Sequence, residues 1–529
     1  MFDLVLEGGT IYDGTGADPY VGDVGIQDGH IKEIGNLCGA ATNERLMIEG
    51  LAVAPGFIDL HTHSDFTLLA DGRAQSQVNQ GVTTEVIGQC GFSCAPVTCD
   101  SDIEEAGPGY LKCGVQLGWR SFDDYLKRLE ATALGVNVVA CVGHGAIHRA
   151  VLGDALRAPN PEEIKTMIRI TEQSMEEGAA GFTTGLEYWP GSLCSIEHIA
   201  PICKVATKYD RLYATHVRNR DIYYDFAFNE AIATARASGA RLQISHIQPK
   251  FGAPAHAMEH TLEIMEIARR WGVDVAFDVI PHDWAHTIVT SILPRWALEG
   301  GPKALLDRLK DPSQREAMKF NPLPHWRIVA AGHWDEIKLL SSEANPDLVG
   351  ATFEEIGRSR KIDPYDVVLD LLLEEGEGLN HLKWTSHTFS DKDIALCLQQ
   401  PECAVISDTA ALAPDGPLKD QIGSLSGYGW AARFLGKYVR DEGIISLSEG
   451  IQKMTSIPAK RIGLLNRGTL KQKNIGDVVV FDAGQIASQY SVKEPRRYPT
   501  GIVHVLVNGE LVIRDGQRSE LNPGQVLRQ

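Results

Sequence analysis

Apolar and polar positions alternate in short runs at both ends of this chain. Leu4-Val5-Leu6, Thr10-Ile11-Tyr12, Val24-Gly25-Ile26 and His30-Ile31-Lys32-Glu33-Ile34 are separated by glycine turns, which predicts a β meander ending near Val53. The same texture returns in Asp477-Val478-Val479-Val480-Phe481-Asp482 and in the run from Val503 to Ile513, where Asn508-Gly509 is a strong hairpin turn. Two such segments of one character predict a single β domain built from both ends. Between them the pattern changes. Val136 to Val142 reads as a largely apolar strand entering a loop at Gly143-His144-Gly145, and Pro161-Glu162-Glu163-Ile164 starts a helix with proline and acids in its first turn. Ala180-Gly181-Phe182-Thr183-Thr184-Gly185 is the next strand. This rhythm of strand, loop and helix predicts an α/β barrel of parallel strands. From roughly Thr287 to Pro346 it lapses into a Pro- and Trp-bearing stretch, expected to be an insertion over the barrel mouth. The expected layout is a β domain from 1–53 and 468–529, a barrel over 54–467, and a lid at 287–346.

The chemistry sits at predicted strand ends. Pro55-Gly56-Phe57-Ile58-Asp59-Leu60-His61-Thr62-His63 places two imidazoles at i and i+2, so both leave the same face of a strand. Neutral imidazole is the commonest protein ligand for zinc and related ions. Thr215-His216 follows an apolar run, Ser245-His246 closes another, and Cys403-Ala404-Val405-Ile406-Ser407-Asp408 delivers a carboxylate at the same end. Gly88-Gln89-Cys90-Gly91 breaks a strand into a glycine-flanked turn from which a thiolate can reach a metal. In a barrel of parallel strands, chemistry is assembled at the C-terminal ends.

The 529 residues are 43% hydrophobic and 22% charged, enough for a large core. A net charge of −19 argues against nucleic acid and anionic membranes as partners and leaves a small-molecule substrate. The N-terminus lacks the basic and apolar regions of a signal peptide and no apolar span reaches membrane length, so a cytoplasmic protein is expected. Ten scattered cysteines are not a disulfide framework; most are expected reduced and buried.

These residues resemble the metal-dependent amidohydrolase superfamily, and within it the N-acyl-D-amino-acid deacylase (D-aminoacylase) family. The resemblance runs over nearly the whole chain, through the segment from Ala54 to Asp65, the Gly88-Gln89-Cys90-Gly91 turn, and the flanking runs Thr184-Gly185-Leu186-Glu187-Tyr188 and Met454-Thr455-Ser456-Ile457-Pro458-Ala459. It implies a (β/α)8 TIM-like barrel with a small β-sandwich. It also implies one tight zinc site on Cys90, His216 and His246, and a second, weaker position on His61 and His63 with Cys90 bridging. Asp408 is then the catalytic acid/base that takes a proton from water and passes it to the leaving nitrogen.

The substrate side departs from the family pattern. Where relatives carry a lysine two residues after the last histidine ligand, this chain has Gln248, and where they carry tyrosines and a serine that hold an α-carboxylate, it has Ile280, His282 and His286. Gln248, His282, Trp284 and His286 are therefore expected to offer neutral donors to a less acidic acyl-amine, with Glu187, Tyr188 and Lys250 as further pocket candidates. His144, His148 and Arg218 are assigned to packing or support. The expected activity is zinc-dependent hydrolysis of a linear amide C–N bond. The alternatives are a cyclic amide, imide or carbamate hydrolase, and a non-catalytic barrel protein.

Overall fold

A computed structural model describes residues 1–99, 113–153, 155, 157–320, 326–421 and 423–529. Strands β1 (Phe2–Ile11), β2 (Tyr20–Gln27), β3 (His30–Gly35), β4 (Thr42–Met47) and β5 (Ala52–Pro55) form the N-terminal part of a mixed sheet. Two of the expected short strands are halves of the bulged β1, whose register with β2 shifts between Leu6 and Gly9.

Eight parallel strand positions follow: β6 (Phe57–Asp59), β7 (Val82–Ile87), β8 (Asn137–Ala140) continuing as β9 (Val142–Gly143), β10 (Gly181–Gly185), β11 (Leu212–His216), β12 (Arg241–Ile244), β13 (Val275–Val279) and, after an insertion, β17 (Cys403–Val405). The ring closes between its first and last members. Thr62 and Thr409 form a parallel bridge, Asp408 N donates to the His61 carbonyl at 3.1 Å, and His63 N donates to the Thr409 carbonyl at 2.8 Å. Strand alternation sorts the side chains. Ile58, Val86, Val139, Ala180, Leu212 and Ala404 make one buried cluster, whereas Phe57, Ile87, Val138, Phe182, Tyr213 and Phe277 join the larger core. The expected Gly143-His144-Gly145 loop is instead the start of a helix, His144–Leu152, with Gly143 at its N-cap.

The insertion is longer than the sequence rhythm indicated. Strands β14 (Trp284–Ile288), β15 (Ile337–Ser341) and β16 (Lys383–His387) make an antiparallel sheet in the order β14-β16-β15. Its core takes Val289, Leu305, Ile337, Phe353, Val368, Leu372 and Trp384. The helices Phe353–Arg360 and Pro364–Glu375, which read like ordinary barrel helices, thus pack here, so the unit continues well past residue 346. Residues 321–325 of the expected lid lie outside the described residues.

The chain ends in β18 (Val478–Phe481), β19 (Ile502–Val507), β20 (Glu510–Arg514) and β21 (Gln517–Arg518). β18 pairs antiparallel with β5, joining the two chain ends in one sheet, and Asn508 and Gly509 turn β19 into β20 with φ of 51° and 85°. Both faces of β18 are buried. Val478 and Val480 enter a core shared with Leu4, Val24 and Ile31, while Val479 and Phe481 pack on the barrel's main core. Among the described residues, no helix is long and apolar enough to cross a membrane.

Candidate metal centre

Each candidate ligand stands at or just beyond the end of a barrel strand. His61 and His63 follow β6, Cys90 follows β7, His216 ends β11, His246 follows β12 and Asp408 follows β17. Cys90, His246 and Asp408 have φ of 53°, 34° and 51°. A non-glycine residue held there costs of order 1 kcal/mol or more, and three such turns at one rim mark a site whose surroundings over-determine the backbone. At the Cys90 turn, glycine is required on both sides. A Cβ on Gly88 would lie 2.0 Å from the Cys141 carbonyl oxygen, and one on Gly91 would lie 2.7 Å from Gly185 N.

These turns bring the donors together. Cys90 Sγ lies 3.2 Å from His61 Nε2, 3.5 Å from His246 Nε2 and 3.7 Å from His216 Nδ1, and the last two nitrogens are 3.1 Å apart. Asp408 Oδ1 is 3.2 Å from His63 Nε2 and 3.4 Å from His61 Nε2. One ligand atom each from His61, Cys90, His246 and Asp408 falls within 4.8 Å of the others. The remaining contacts fix orientation. Glu187 Oε2 accepts from His216 Nε2 at 2.6 Å, which puts the ring proton outside and leaves the Nδ1 lone pair facing Cys90 and His246. Asp278 Oδ1 accepts from His246 N at 2.6 Å, and Asp59 Oδ1 accepts from His61 N and Ser407 N at 3.3 and 3.1 Å.

Burial lowers His61 to about 3 and His216 to about 4, and holds His246 well below the ordinary imidazole range, so these rings are neutral, the form that ligates. Burial works against the Asp408 carboxylate, yet the His63 ring, 3.2 Å away and itself raised by Asp408, holds the carboxyl well below the ordinary carboxylate range. Burial pushes the Cys90 thiol up. A thiol, inward lone pairs and a carboxylate packed this closely are a donor set for a zinc-type ion, which deprotonates the thiol it binds.

Several substrate-pocket candidates are placed differently from expectation. Gln248 is buried, and its amide is spent on one backbone: Nε2 donates to the Ile280 carbonyl at 2.7 Å and Oε1 accepts from Ile280 N at 3.3 Å. It braces two strand ends instead of offering a donor to substrate. His282 stacks on Tyr490 at 5.3 Å and its Nδ1 accepts from Trp284 N. Lys250 is buried, with Nζ 2.7 and 2.8 Å from the Glu187 oxygens and 4.0 Å from the Trp326 ring centroid. Glu187 and Lys250 thus form a support behind His216. Tyr188 remains at the rim, its ring 4.6 Å from His216 and 5.7 Å from the half-exposed Phe92. His286 lies on β14, lowered to about 4 by burial and then Lys383, with Asp408 and His63 near enough to act on it. Trp284 caps His387, centroids 3.7 Å apart.

Sequence reasoning missed Asp278, Phe92 and Arg220. Asp278 had a legible signal, an acid in an apolar strand. Arg220 had none, because it lies in an irregular loop where no periodicity says which way a side chain turns. Of the cysteines, Cys38 and Cys99 are exposed and Cys113 partly so, while the other seven are buried.

A closed ring of parallel strands carrying thiol, imidazole and carboxylate at its C-terminal rim defines a barrel hydrolase of the metal-dependent class. The sequence profile described as "Amidohydrolase family" matches residues 48–258 and 410–513. D-aminoacylase of Alcaligenes xylosoxydans xylosoxydans is 30% identical over 537 residues, covering 99% of this chain and 97% of that protein. The N-acyl-D-glutamate deacylase of the same organism is also 30% identical, covering 99% and 96%. The solved N-acyl-D-glutamate deacylase of Bordetella bronchiseptica, complexed with zinc and a phosphonate mimic of the reaction's tetrahedral intermediate, superposes with a TM-score of 0.83 at 28% identity over 100% of both chains. This chain belongs to the amidohydrolase family.

The Glu187 support makes a separable prediction. Glu187→Gln is expected to weaken zinc binding by about 10- to 100-fold and to destabilise the fold by about 3 kcal/mol as Lys250 loses its partner. In the Glu187→Gln, Lys250→Met double variant the stability should recover while zinc affinity stays low. Chelator competition and thermal unfolding read the two effects separately.

Proposed function

We propose that this protein is a zinc-dependent hydrolase of linear amides, cleaving N-acyl-D-amino acids or close relatives. The observation that carries this is the convergence of Cys90 Sγ, His216 Nδ1 and His246 Nε2 beside Asp408, with His61 and His63 adjoining. Cys90, His216 and His246 are the assigned tight ligands, and His61 and His63 with Cys90 the weaker set. Zinc bound there supplies Lewis acidity toward a carbonyl and toward water.

The chain's own groups do the rest. Asp408, ionised and with its side chain 22% exposed, takes the proton of the attacking water and returns it to the leaving nitrogen, without which an amide nitrogen departs as a very poor anion. Glu187 holds the His216 tautomer and Asp278 fixes the turn at His246. Tyr188 and Phe92 give one wall an aromatic surface against which an apolar acyl group packs. The cyclic-imide reading is weaker. Relatives of that kind use a carboxylated lysine, whereas Lys250 is committed to Glu187 and Cys90 Sγ, 3.2 Å from His61 Nε2, would serve as ligand in such a lysine's stead.

The test is a panel of N-acyl-D- and N-acyl-L-amino acids, N-acyl amines and cyclic imides, assayed with the zinc-loaded protein. Release of free amine from the N-acyl-D compounds is expected, abolished by chelation and restored by zinc. Turnover of cyclic imides with none of the linear amides would overturn the reading.

A further inference from the structure

Arg220 is a buried cation with almost nothing to pair with. It lies four residues beyond His216, is 5% exposed, and its Nη1 donates to the His246 carbonyl at 2.5 Å. Its Nε is buried without a partner, and among the described residues no other hydrogen bond or ion pair reaches the guanidinium. Phe389 covers one side, with Cζ 5.5 Å from the ring centroid. Guanidinium carries five N–H donors and stays charged in proteins. Burying that charge is costly unless an anion meets it. The carboxylates near it are engaged elsewhere: Glu187 by Lys250 and His216, Asp278 by His246 N and Gln243, Asp408 by His63 and His61, and the neighbouring buried Asp221 by Ile222 N, with no ion pair to Arg220 among the described residues.

Arg220 is fastened to the backbone of the metal-site residue His246, and its charge acts on His61, Cys90, Tyr188 and His216, so an anion that met it would stand beside the metal centre. Gln248 cannot meet such a group, because its amide is closed onto Ile280. Lys250 cannot, because its ammonium is held by Glu187. We propose that Arg220 is the specificity-determining residue of this site and that its unpaired guanidinium edge binds a carboxylate carried by the substrate beside the scissile amide.

This rests on the amide-hydrolase reading above, and it replaces the neutral-donor pocket expected from the sequence with a charged one. It makes the carboxylate, not the acyl chain, the main determinant of binding. The arrangement recognises an N-acyl amino acid and rejects the corresponding N-acyl amine, which would leave the guanidinium buried and unpaired.

The test separates binding from turnover. N-acetyl-D-leucine and its decarboxylated counterpart, N-(3-methylbutyl)acetamide, are titrated into zinc-free protein and followed by thermal shift and calorimetry. The acid should bind the wild type at least about 30-fold more tightly than the amide. Arg220→Gln should abolish that preference, and Arg220→Lys should restore part of it. Arg220→Gln should also unfold no earlier than wild type in the absence of ligand, since it removes an uncompensated charge; circular dichroism and zinc content confirm that it folds. Equal binding of acid and amide by the wild type, no binding of the acid, or an unchanged preference in Arg220→Gln would each overturn the assignment. If the acid binds through Arg220 but the zinc-loaded enzyme turns over no linear amide in the panel, the carboxylate site stands and the hydrolase reading fails.

Discussion

Asp408→Asn should lower kcat by about 1000-fold or more while the protein keeps its zinc. General acid–base groups contribute on the order of 100- to 10,000-fold, and here one carboxylate serves both proton transfers, so the upper part of that range is expected. The substitution is mild in every other respect. Asparagine has the same shape, and it tolerates the left-handed backbone at φ 51° as readily as aspartate does. Its carbonyl oxygen can still face His63 and His61 as Oδ1 does at 3.2 and 3.4 Å. What is lost is the negative charge and the ability to carry a proton. Single-turnover kinetics beside metal analysis reads both quantities. Full zinc with full turnover would remove Asp408 from the mechanism, and loss of zinc together with turnover would make it a ligand first.

The second large effect is expected at Cys90. Cys90→Ala should lower zinc affinity by more than about 100-fold, exceeding the loss usual when only a supporting residue is changed, and activity should fall with the metal. Sγ is the hub of the cluster, 3.2 to 3.7 Å from three imidazole nitrogens on three other strand ends. Alanine keeps a Cβ at the same positive φ, so the turn between Gly88 and Gly91 is not relieved or newly strained. Excess zinc should restore little activity, because His216 and His246 alone leave the position without its soft donor. Undiminished zinc content and activity in this variant would refute the ligand assignment.

Strand-borne features were readable early because they obey a local period. A short strand-like run that closes on His, Cys or Asp, directly or through one or two turn residues, places that side chain at a strand end wherever the strand lies, and this holds for His61, Cys90, His216, His246 and Asp408. Gln248 and Lys250 were misplaced for the opposite reason. They follow the end of β12, where direction depends on what the neighbouring chain offers: the Ile280 backbone for one and Glu187, 63 residues away in sequence, for the other. The insertion runs past the end the sequence rhythm implies because Phe353–Arg360 and Pro364–Glu375 have ordinary amphipathic patterns, and such a pattern says that a face is buried but not against which core.

The sequence alone determined the alternation of strands and helices, the β character of both ends, and which residue types stand at the strand tips, since each follows from backbone geometry within a few residues. Tertiary structure alone decided that β5 meets β18, that β17 closes on β6, and that Arg220 is left buried without an anion. Those outcomes are set by contacts between segments far apart in the chain. Burial and charge pairing are properties of the space such segments enclose, and no local pattern encodes that space.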